Sequence, residues 1–406
     1  MNFVFISPNF PETYYRWCAA LKARGVNVLG VGDAPYHELR QELKDALTEY
    51  YAVSSLGDLK QMISALDHFR YRYGRLDFIE SDNEWWLTQD ATLRQWFDVR
   101  TGFWPADMEK IKAKSAMKKC FQQAGVKTAR YCLFSTGGDK APVYAFAKEV
   151  GYPLFAKPNI GVGAADSKSI HNDDELEEFL NRELPTQYII EEYLEGEVVS
   201  FDGICDDDSN VVFCDHEHFP TPPADLVNLA LDDCYYCCDF SIPLKGFDSK
   251  SFRKMGEATV KAFGIRKRFF HIEYFRLTKD KPGFAKRGEI VALECNMRPP
   301  GGYTPDLIDF ACSVSVYDIY ADVICFNQNF QKMDYEKYLS FSVSRRDGLK
   351  YAHSHDEIME KYGADVCMHG RYPKSIADDL GDDYYFGRFK TYEEGKAFDE
   401  FIRKKA

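Results

Sequence analysis

Short apolar segments alternate with helical patterns from the first residues onward, and this alternation constrains the fold more than any other feature. Residues 3–6 form a β-prone apolar run, residues 12–24 follow a helical pattern that Gly25 ends, and residues 26–31 form a second apolar run. Further helical and strand patterns follow in turn, including a helix over 58–73 and a strand over 77–80. The alternation predicts an α/β unit at the start of the chain.

Length and charge narrow the class of protein. A chain of 406 residues predicts two or three domains, and 45% hydrophobic and 15% aromatic residues predict a globular protein. The formal net charge of −13 argues against a nucleic-acid partner, because such proteins present a basic face to phosphates. The sequence shows neither a basic leader followed by a long apolar segment nor a run of membrane-spanning length, so we expect a cytoplasmic protein without a membrane partner.

Twelve cysteines are scattered along the chain, which favours reduced thiols over a disulfide framework. Two groups allow a metal-binding interpretation: Cys234, Cys237 and Cys238 contain a CxxC spacing, and Cys214, His216 and His218 would share one face of a strand. The alternative is that both groups are buried side chains of strands, and we favour it because the CxxC lacks a matching second pair. We therefore assign no metal to these groups.

A lysine followed by a glycine-bearing loop predicts a phosphate-binding element in the middle of the chain. A helix predicted over 110–123 contains Lys114, a second helix covers 143–150, and a short strand then carries Lys157 into the loop 158–165. Flexible backbone N–H groups and an ammonium suit a polyphosphate, although such a loop alone is weak evidence. The pattern GxxxxGK[ST] is absent, which disfavours a P-loop enzyme.

Carboxylates on two apolar strands predict a metal site further along the chain. Residues 270–275 carry Glu273, and residues 290–296 carry Glu294 and Asn296, whose side chains point to the same face of an extended segment. Buried carboxylates are costly unless they are paired or bind a cation, and Mg²⁺ prefers such oxygen ligands. Arg298 would reach the same phosphates; the alternative for this fragment is a strand end with solvated polar residues.

The order of these motifs resembles that of the ATP-grasp superfamily, and more narrowly its carboxylate–amine ligases. This branch includes D-alanine–D-alanine ligase, L-amino acid ligases and the carbamoyl phosphate synthase large chain. The resemblance spans about residues 110–326. It implies a mixed α/β and α+β protein, with a Rossmann-like N-terminal domain before a two-lobed ATP-grasp domain. We expect boundaries at 1–109, 110–200 for the small lobe, 201–330 for the large lobe, and 331–406 for a C-terminal α/β extension.

The resemblance also implies roles for individual residues. Glu273, Glu294 and Asn296 match the magnesium ligands, with Mn²⁺ as an alternative ion, and Arg298 and Lys157 match the catalytic residues that steady the transferred phosphate. The positions that match the ATP-binding residues of the family are Lys114, Lys157, Gly161, Val162, Gly163, Ala164, Glu191, Glu192, Tyr193, Leu194 and Glu197. Among these, Glu191 matches the position that faces the adenine amino group. The chain departs from its relatives where Val198 follows Glu197, near the ribose, and where Met297 replaces a common proline.

The activity implied is phosphoryl transfer from ATP to a carboxylate, followed by attack of an amine on the acyl phosphate to form an amide. The expected partners are small carboxylate and amine molecules, amino acids among them, and a homodimer is an allowed assembly. Candidate substrate residues are Asn9, Glu84, His216, Gly301 and Gly302. The segment 219–242 is unlike a regular element and is a candidate substrate loop. The alternatives are an enzyme with a non-amine acceptor, namely a carboxylate kinase or thiol ligase, and a nucleotide-binding module without catalysis.

Overall fold

The computed structural model describes residues 1–161, 166–221 and 232–406. The N-terminal unit is a parallel four-stranded sheet, in the order β3-β2-β1-β4. Its strands are β1 (Asn2–Ile6), β2 (Asn27–Gly32), β3 (Glu49–Ala52) and β4 (Phe78–Glu80). Its helices are Tyr15–Ala23, Gln41–Ala46, Leu59–Tyr73 and Leu87–Trp96, with short 3-10 turns at Glu12–Tyr14, Tyr36–Glu38 and Pro105–Asp107. The predicted α/β unit is confirmed.

A small antiparallel sheet follows, in the order β5-β8-β6-β7. Its strands are β5 (Tyr131–Phe134), β6 (Leu154–Pro158), β7 (Lys168–Ile170) and β8 (Tyr188–Glu192). The helices Ala141–Val150 and Asp173–Leu180 cover it, and their apolar side chains form one core with the sheet. This sheet carries Lys157 on β6 and Glu191 on β8.

The third sheet has eight strands in the order β13-β12-β9-β10-β11-β14-β16-β15, and all of its pairings are antiparallel. The strands are β9 (Gly196–Cys205), β10 (Val211–Phe219), β11 (Cys234–Cys238), β12 (Arg268–Leu277), β13 (Ile290–Asn296), β14 (Leu339–Arg345), β15 (Val366–Arg371) and β16 (Asp383–Phe389). The accompanying helices are Ser249–Phe263, Thr304–Cys312, Val316–Phe326, His355–Tyr362, Lys374–Leu380 and Tyr392–Arg403.

The two faces of this sheet differ in character. On one face, Phe201, Phe270 and Ile272 pack into a core with the helices Lys114–Gln123 and Ser249–Phe263. On the other, Ile204 and Phe269 join the core shared with the N-terminal unit, while other positions of the same face are polar. The alternation of side chains along each strand produces this division.

Two predictions about secondary structure need correction. The helix predicted over 110–123 is two helices, Met108–Lys112 and Lys114–Gln123, because Ala113 adopts an extended conformation and bridges Ile160. The segment 219–242 is not wholly irregular: β11 lies within it and pairs with β10 and β14. Residues 222–231 of that segment lie outside the described part of the chain.

The expected boundary at 109/110 lies between two sheets, but the boundaries at 200 and 330 do not separate one sheet from another. The boundary at 200 falls inside β9, and β14, β15 and β16 from the segment 331–406 extend the sheet that β9–β13 begin.

The cysteines of β11 divide between the two faces of the large sheet: Cys234 and Cys238 pack in one core and Cys237 in another. Among the described helices, none has the length and apolar character needed to cross a membrane.

Candidate active site

The three predicted metal ligands lie together at the edge of the large sheet. In the antiparallel pair of β12 and β13, Glu273 stands opposite Glu294, and His271 stands opposite Asn296. Directly opposed residues project to the same face, so two carboxylates and one amide converge on a small region. Lys114 Nζ donates to Glu294 Oε1 at 2.9 Å, which brings the first predicted phosphate-binding lysine to the same place.

The charge state of Glu273 suits a cation. His271 Nε2 lies 3.0 Å from Glu273 Oε1. Burial opposes ionisation of this carboxyl, but His271, and then Arg298 and Lys114, hold the pKa of Glu273 below its ordinary value. An ionised carboxylate beside a second carboxylate and an amide oxygen is a donor set that fits a hard divalent cation.

Arg298 lies where β13 gives way to the following turn. Its Nη1 donates to the Pro299 carbonyl at 2.8 Å, and its Nε is 3.7 Å from Glu84 Oε2. Glu84 itself accepts from Lys112 Nζ at 3.2 Å. The arginine therefore connects the predicted metal ligands with the loop after β4, where Glu84, a candidate substrate residue, lies.

The first lysine is held in place by the break in the helix. The Lys114 backbone N–H donates to the Asn159 carbonyl at 2.8 Å, and the Ser115 N–H donates to Asn159 Oδ1 at 2.9 Å. Lys114 Nζ also contacts the Gly161 carbonyl at 3.2 Å, at the start of the predicted phosphate loop. The predicted loop residues Val162, Gly163, Ala164 and Ala165 lie outside the described residues.

Glu191 forms a buried triad with Lys118 and Lys157 that the sequence did not reveal. Its carboxylate lies 2.8 Å from Lys157 Nζ and 2.5 Å from Lys118 Nζ, and all three side chains are buried. Despite burial, these lysines lower the pKa of Glu191 to about 2. Burial lowers the pKa of Lys118, whereas the pKa of Lys157 is raised by Glu191 against the effect of burial. The signal for Lys118 was its position one helical turn after Lys114.

This triad bears on the role predicted for Glu191. Each of its carboxylate oxygens is engaged by one ammonium group, so an adenine amino group would have to use a remaining lone pair of an oxygen that is already paired. Glu192 projects differently: Arg130 Nη2 and Nε donate to its carboxylate at 2.7 and 3.1 Å. Its side chain is therefore paired with Arg130, which leaves its backbone groups as the contact it could offer a nucleotide.

A cleft of about 280 Å³ lies beside this triad, between the small and large sheets. Its walls combine apolar side chains with the connector that joins β8 to β9 and are formed by Ala129, Phe155, Lys157, Glu191, Glu192, Tyr193, Leu194, Glu195, Gly196, Phe275, Thr278, Ala292 and Leu293. Such walls suit a planar base. Glu197, the predicted ribose residue, is not among them and lies 3.5 Å from Arg276 Nη1, whereas Glu195 does line the cleft.

A second cavity, of about 200 Å³, is lined by one of the predicted substrate residues, Gly302. Residues 10–13 after β1 and the pair Gly302 and Tyr303 after β13 form one side. Pro373, Ser375 and Ile376 of the C-terminal segment form the other, a contribution that the sequence did not indicate. Gly301 precedes this group and is exposed, and Asn9 Oδ1 is buried without a hydrogen-bond partner among the described residues.

His216 does not join these residues. It lies on the opposite face of the large sheet, where its ring packs against Phe240 and Phe247 and its Nδ1 is 2.8 Å from His218 Nε2. The strand alternation that places His216 there places its neighbours Asp215 and Glu217 on the face that carries the metal ligands. The placement gives no support to His216 as a substrate residue.

No family model matches the chain. The carbamoyl phosphate synthase large chain of Agathobacter rectalis is 27% identical over 106 residues. That match covers 25% of this chain and only 10% of the length of the curated relative.

Solved structures resemble the chain over nearly its whole length. An L-amino acid ligase from Bacillus licheniformis has a TM-score of 0.68 at 14% identity and covers 100% of this chain and 99% of its own. The biotin carboxylase domain of the Hydrogenobacter thermophilus 2-oxoglutarate carboxylase, solved with MgADP and bicarbonate, has a TM-score of 0.67 at 14% identity, with 97% and 87% covered. Both are ATP-grasp ligases. The chain therefore has the ATP-grasp fold, as its sequence motifs predicted.

Proposed function

We propose that this protein is an ATP- and magnesium-dependent ligase that activates a carboxylate as an acyl phosphate and joins it to an amine. The observation that carries the proposal is the convergence of Glu273, Glu294 and Asn296 with Lys114 and Arg298 beside a nucleotide-sized cleft. A protein that merely binds nucleotide would not need two carboxylates, an amide and two cations at one point.

The cleft and the lysines suit ATP. An adenine would lie against the apolar wall that includes Phe155 and Leu194, and the phosphates would extend toward Lys157 and Lys114. Both ammonium groups are already paired with carboxylates, so they are positioned before any nucleotide binds. Glu273, Glu294 and Asn296 would hold Mg²⁺, which supplies positive charge between phosphate oxygens during phosphoryl transfer.

The protein's own groups then have definable tasks. A substrate carboxylate oxygen attacks the γ-phosphorus of ATP, the bond to the β-phosphate oxygen breaks, and ADP leaves. Lys157 and Arg298 offset the negative charge that spreads over the transferred group. The amine next attacks the carbonyl carbon, the C–O bond to phosphate breaks, and the amide forms with loss of one proton and release of phosphate.

The proposal is tested by measuring magnesium-dependent release of ADP and phosphate with pooled amino acids, small carboxylic acids and amines, followed by mass spectrometry of active pools. A new mass equal to two substrates minus water is expected. ADP release with a phosphorylated acid or a thioester as the product would identify a non-amine acceptor. Nucleotide binding without ADP release in any pool would instead favour a non-catalytic module.

The metal assignment makes a sharper prediction. Glu294→Gln should lower the rate of ADP release about 100-fold or more, because the amide cannot supply the negative charge that holds the ion. Initial rates at saturating ATP, with Mg²⁺ varied, provide the measurement. The control is Glu289→Gln, a carboxylate near the start of β13 that pairs with Lys127 at 2.6 Å on the surface. A Glu294→Gln protein with a wild-type rate would remove Glu294 from the site.

In our proposal, each part of the chain contributes a different component of the active site. Residues 1–109 supply one wall of the substrate site, 110–200 hold the nucleotide phosphates, and 201–330 hold the metal. The segment 331–406 contributes Pro373, Ser375 and Ile376 to the substrate cavity. This arrangement is supported by the position of each lining residue.

A further inference from the structure

Beyond the metal ligands, the same face of the large sheet carries a buried group of charged side chains. Across β12, β9 and β10, Glu273 stands opposite Ser200 and Ser200 opposite Glu217. In the next position, His271 stands opposite Asp202 and Asp202 opposite Asp215. We call Asp202, Asp215, Glu217 and His271 the acidic row. The four side chains are buried, and those of Asp202, Asp215 and Glu217 are 0% exposed.

Two members of the acidic row, Asp202 and His271, have hydrogen-bond partners. Asp202 Oδ1 lies 2.5 Å from His271 Nδ1, and its Oδ2 accepts from the Ser200 hydroxyl. His271 Nε2 is engaged by Glu273. Asp202 and His271 thus form a compact ion pair that leaves no ring nitrogen free. Mg²⁺ at Glu273 and Glu294 would in turn neutralise the neighbouring carboxylates.

Asp215 and Glu217 have no such partners. Within the described part of the chain, none of their four carboxylate oxygens has a hydrogen-bond partner. Burial first, and then the neighbouring carboxylates, raise the pKa of both groups well above ordinary values. Cys237 stands opposite Glu217 on β11, and its thiol, a weak donor, offsets only a little of the cost at Glu217. Two buried carboxylates without a donor or cation are costly, so the arrangement points to a positively charged ligand.

We propose that Asp215 and Glu217 bind the positively charged nitrogen of a substrate, at a subsite distinct from the magnesium site. This proposal rests on the ligase function above and narrows its substrate class. An ammonium offers three donors, which four free carboxylate oxygens can accept. A metal ion suits the place less well, because Mg²⁺ and Ca²⁺ take six or more oxygen ligands, and His271 and Asp202 are already engaged.

The position of the subsite indicates how such a substrate lies. Glu217 and Glu273 stand two strand spacings apart, which separates their Cα atoms by about 10 Å, and the His271 ring lies between their carboxylates. A substrate with its charged nitrogen at Asp215 and Glu217 would place its reacting end at the acyl phosphate only if several methylene groups separated the two. Basic amino acids and aliphatic diamines have this form, whereas their neutral counterparts lack the second cation.

Calorimetry in the presence of MgADP tests the subsite without turnover. The ligand pairs are L-lysine with L-norleucine, and 1,4-diaminobutane with 1-aminobutane. At least one cationic ligand should bind about tenfold or more tightly than its neutral counterpart, and Asp215→Asn combined with Glu217→Gln should abolish the difference. The matched control is Asp90→Asn, because Asp90 is another buried carboxylate with one unpartnered oxygen. This variant should retain the difference in affinity between the cationic and neutral ligands.

A second measurement separates this role from a structural one. Because the amides carry no charge to desolvate, the double variant should unfold at a higher temperature than wild type without ligand, yet gain no stability from lysine or diaminobutane. Equal binding of every cationic and neutral pair, or discrimination that survives in the double variant, would overturn the proposal. Tight binding of Mn²⁺ to the wild type without nucleotide, lost in the double variant, would also overturn the proposal, because it would identify a metal site.

The outcomes distinguish this inference from the proposed function. Selective binding of a cationic ligand without ADP release in any substrate pool would support the subsite and contradict the ligase activity. ADP release with neutral amines, unchanged by the double substitution, would support the ligase activity and contradict the subsite.

Discussion

At the scale of single residues, the most consequential feature is that Glu191 lies between Lys118 and Lys157 with all three groups buried. Removing a charge from water is costly, and only mutual attraction at 2.5 and 2.8 Å offsets the cost here. The carboxylate therefore fixes the position of the lysine that is expected to meet the ATP phosphates. Its removal would leave two like charges facing each other.

Replacement of Glu191 by glutamine should destabilise the protein by about 3 kcal/mol at pH 7, because two buried ammonium groups lose their counter-ion. The pKa of Glu191 is about 2 in the folded protein against an ordinary 4.5, so the unfolded state takes up the proton first. The contribution of the Glu191 carboxylate to the free energy of unfolding is complete above about pH 5 and is lost as the pH falls toward 2. Urea unfolding at pH 7, 5 and 3 should show a weaker pH dependence for Glu191→Gln than for wild type. Parallel curves would contradict this coupling.

At the scale of elements, the junction between two helices positions a functional side chain. Ala113 interrupts the helical pattern, and Asn159, at the end of β6, accepts from the backbone N–H of Ser115 at 2.9 Å. The first turn of Lys114–Gln123 is therefore capped by a residue distant in sequence. The cap ties the helix that carries Lys114 to the strand that carries Lys157.

Asn159→Ala should lower the free energy of unfolding by about 1 kcal/mol and also weaken MgADP binding about fivefold or more, because the cap aligns Lys114. Asn172→Ala is the matched control: Asn172 caps Asp173–Leu180 by accepting from Glu175 N–H at 2.9 Å, away from the nucleotide cleft. Denaturant unfolding and calorimetry should show similar stability losses but an affinity loss only for Asn159→Ala. Equal nucleotide affinity in the two variants would contradict the positioning role.

At the scale of the whole molecule, the C-terminal segment is part of the large sheet. β14 pairs with β11, and the helix Tyr392–Arg403 packs on β14, where a Cβ added at Gly395 would lie 2.0 Å from the Phe341 ring. The N-terminal unit is joined to the same body: Arg24 contacts Asp318 and Asp322 at 2.7 and 2.6 Å. We infer that the chain's ends stabilise a shared core.

Gly395→Ala should therefore lower the free energy of unfolding by about 2 kcal/mol through overpacking against Phe341. Because β14 lies within the eight-stranded sheet, circular dichroism and tryptophan fluorescence should report one shifted transition. The control is Gly57→Ala in a surface turn, where the nearest atom to an added Cβ is 3.6 Å away and little change is expected. A separate early transition for the C-terminal segment would contradict this integration.

Local patterns in the sequence determined much of this protein. The spacing of apolar residues and the glycines at helix ends predicted β1, β2 and the helix Leu59–Tyr73. Carboxylates on two apolar strands predicted that Glu273 and Glu294 would lie close together. These features were accessible because neighbouring residues decide whether a strand or helix forms and which face is buried. The order of the motifs then indicated the ATP-grasp architecture.

Tertiary structure alone decided which distant residues meet. Three examples join segments that no local pattern connects: the pairing of Lys118 with Glu191, the capping of the helix at Lys114 by Asn159, and the contribution of Pro373 to the cavity beside Gly302. Strand register also decided that Asp215 and Glu217, rather than His216, share a face with the proposed metal ligands. A one-residue change of register would have reversed that choice, because side chains alternate between the two faces of a sheet.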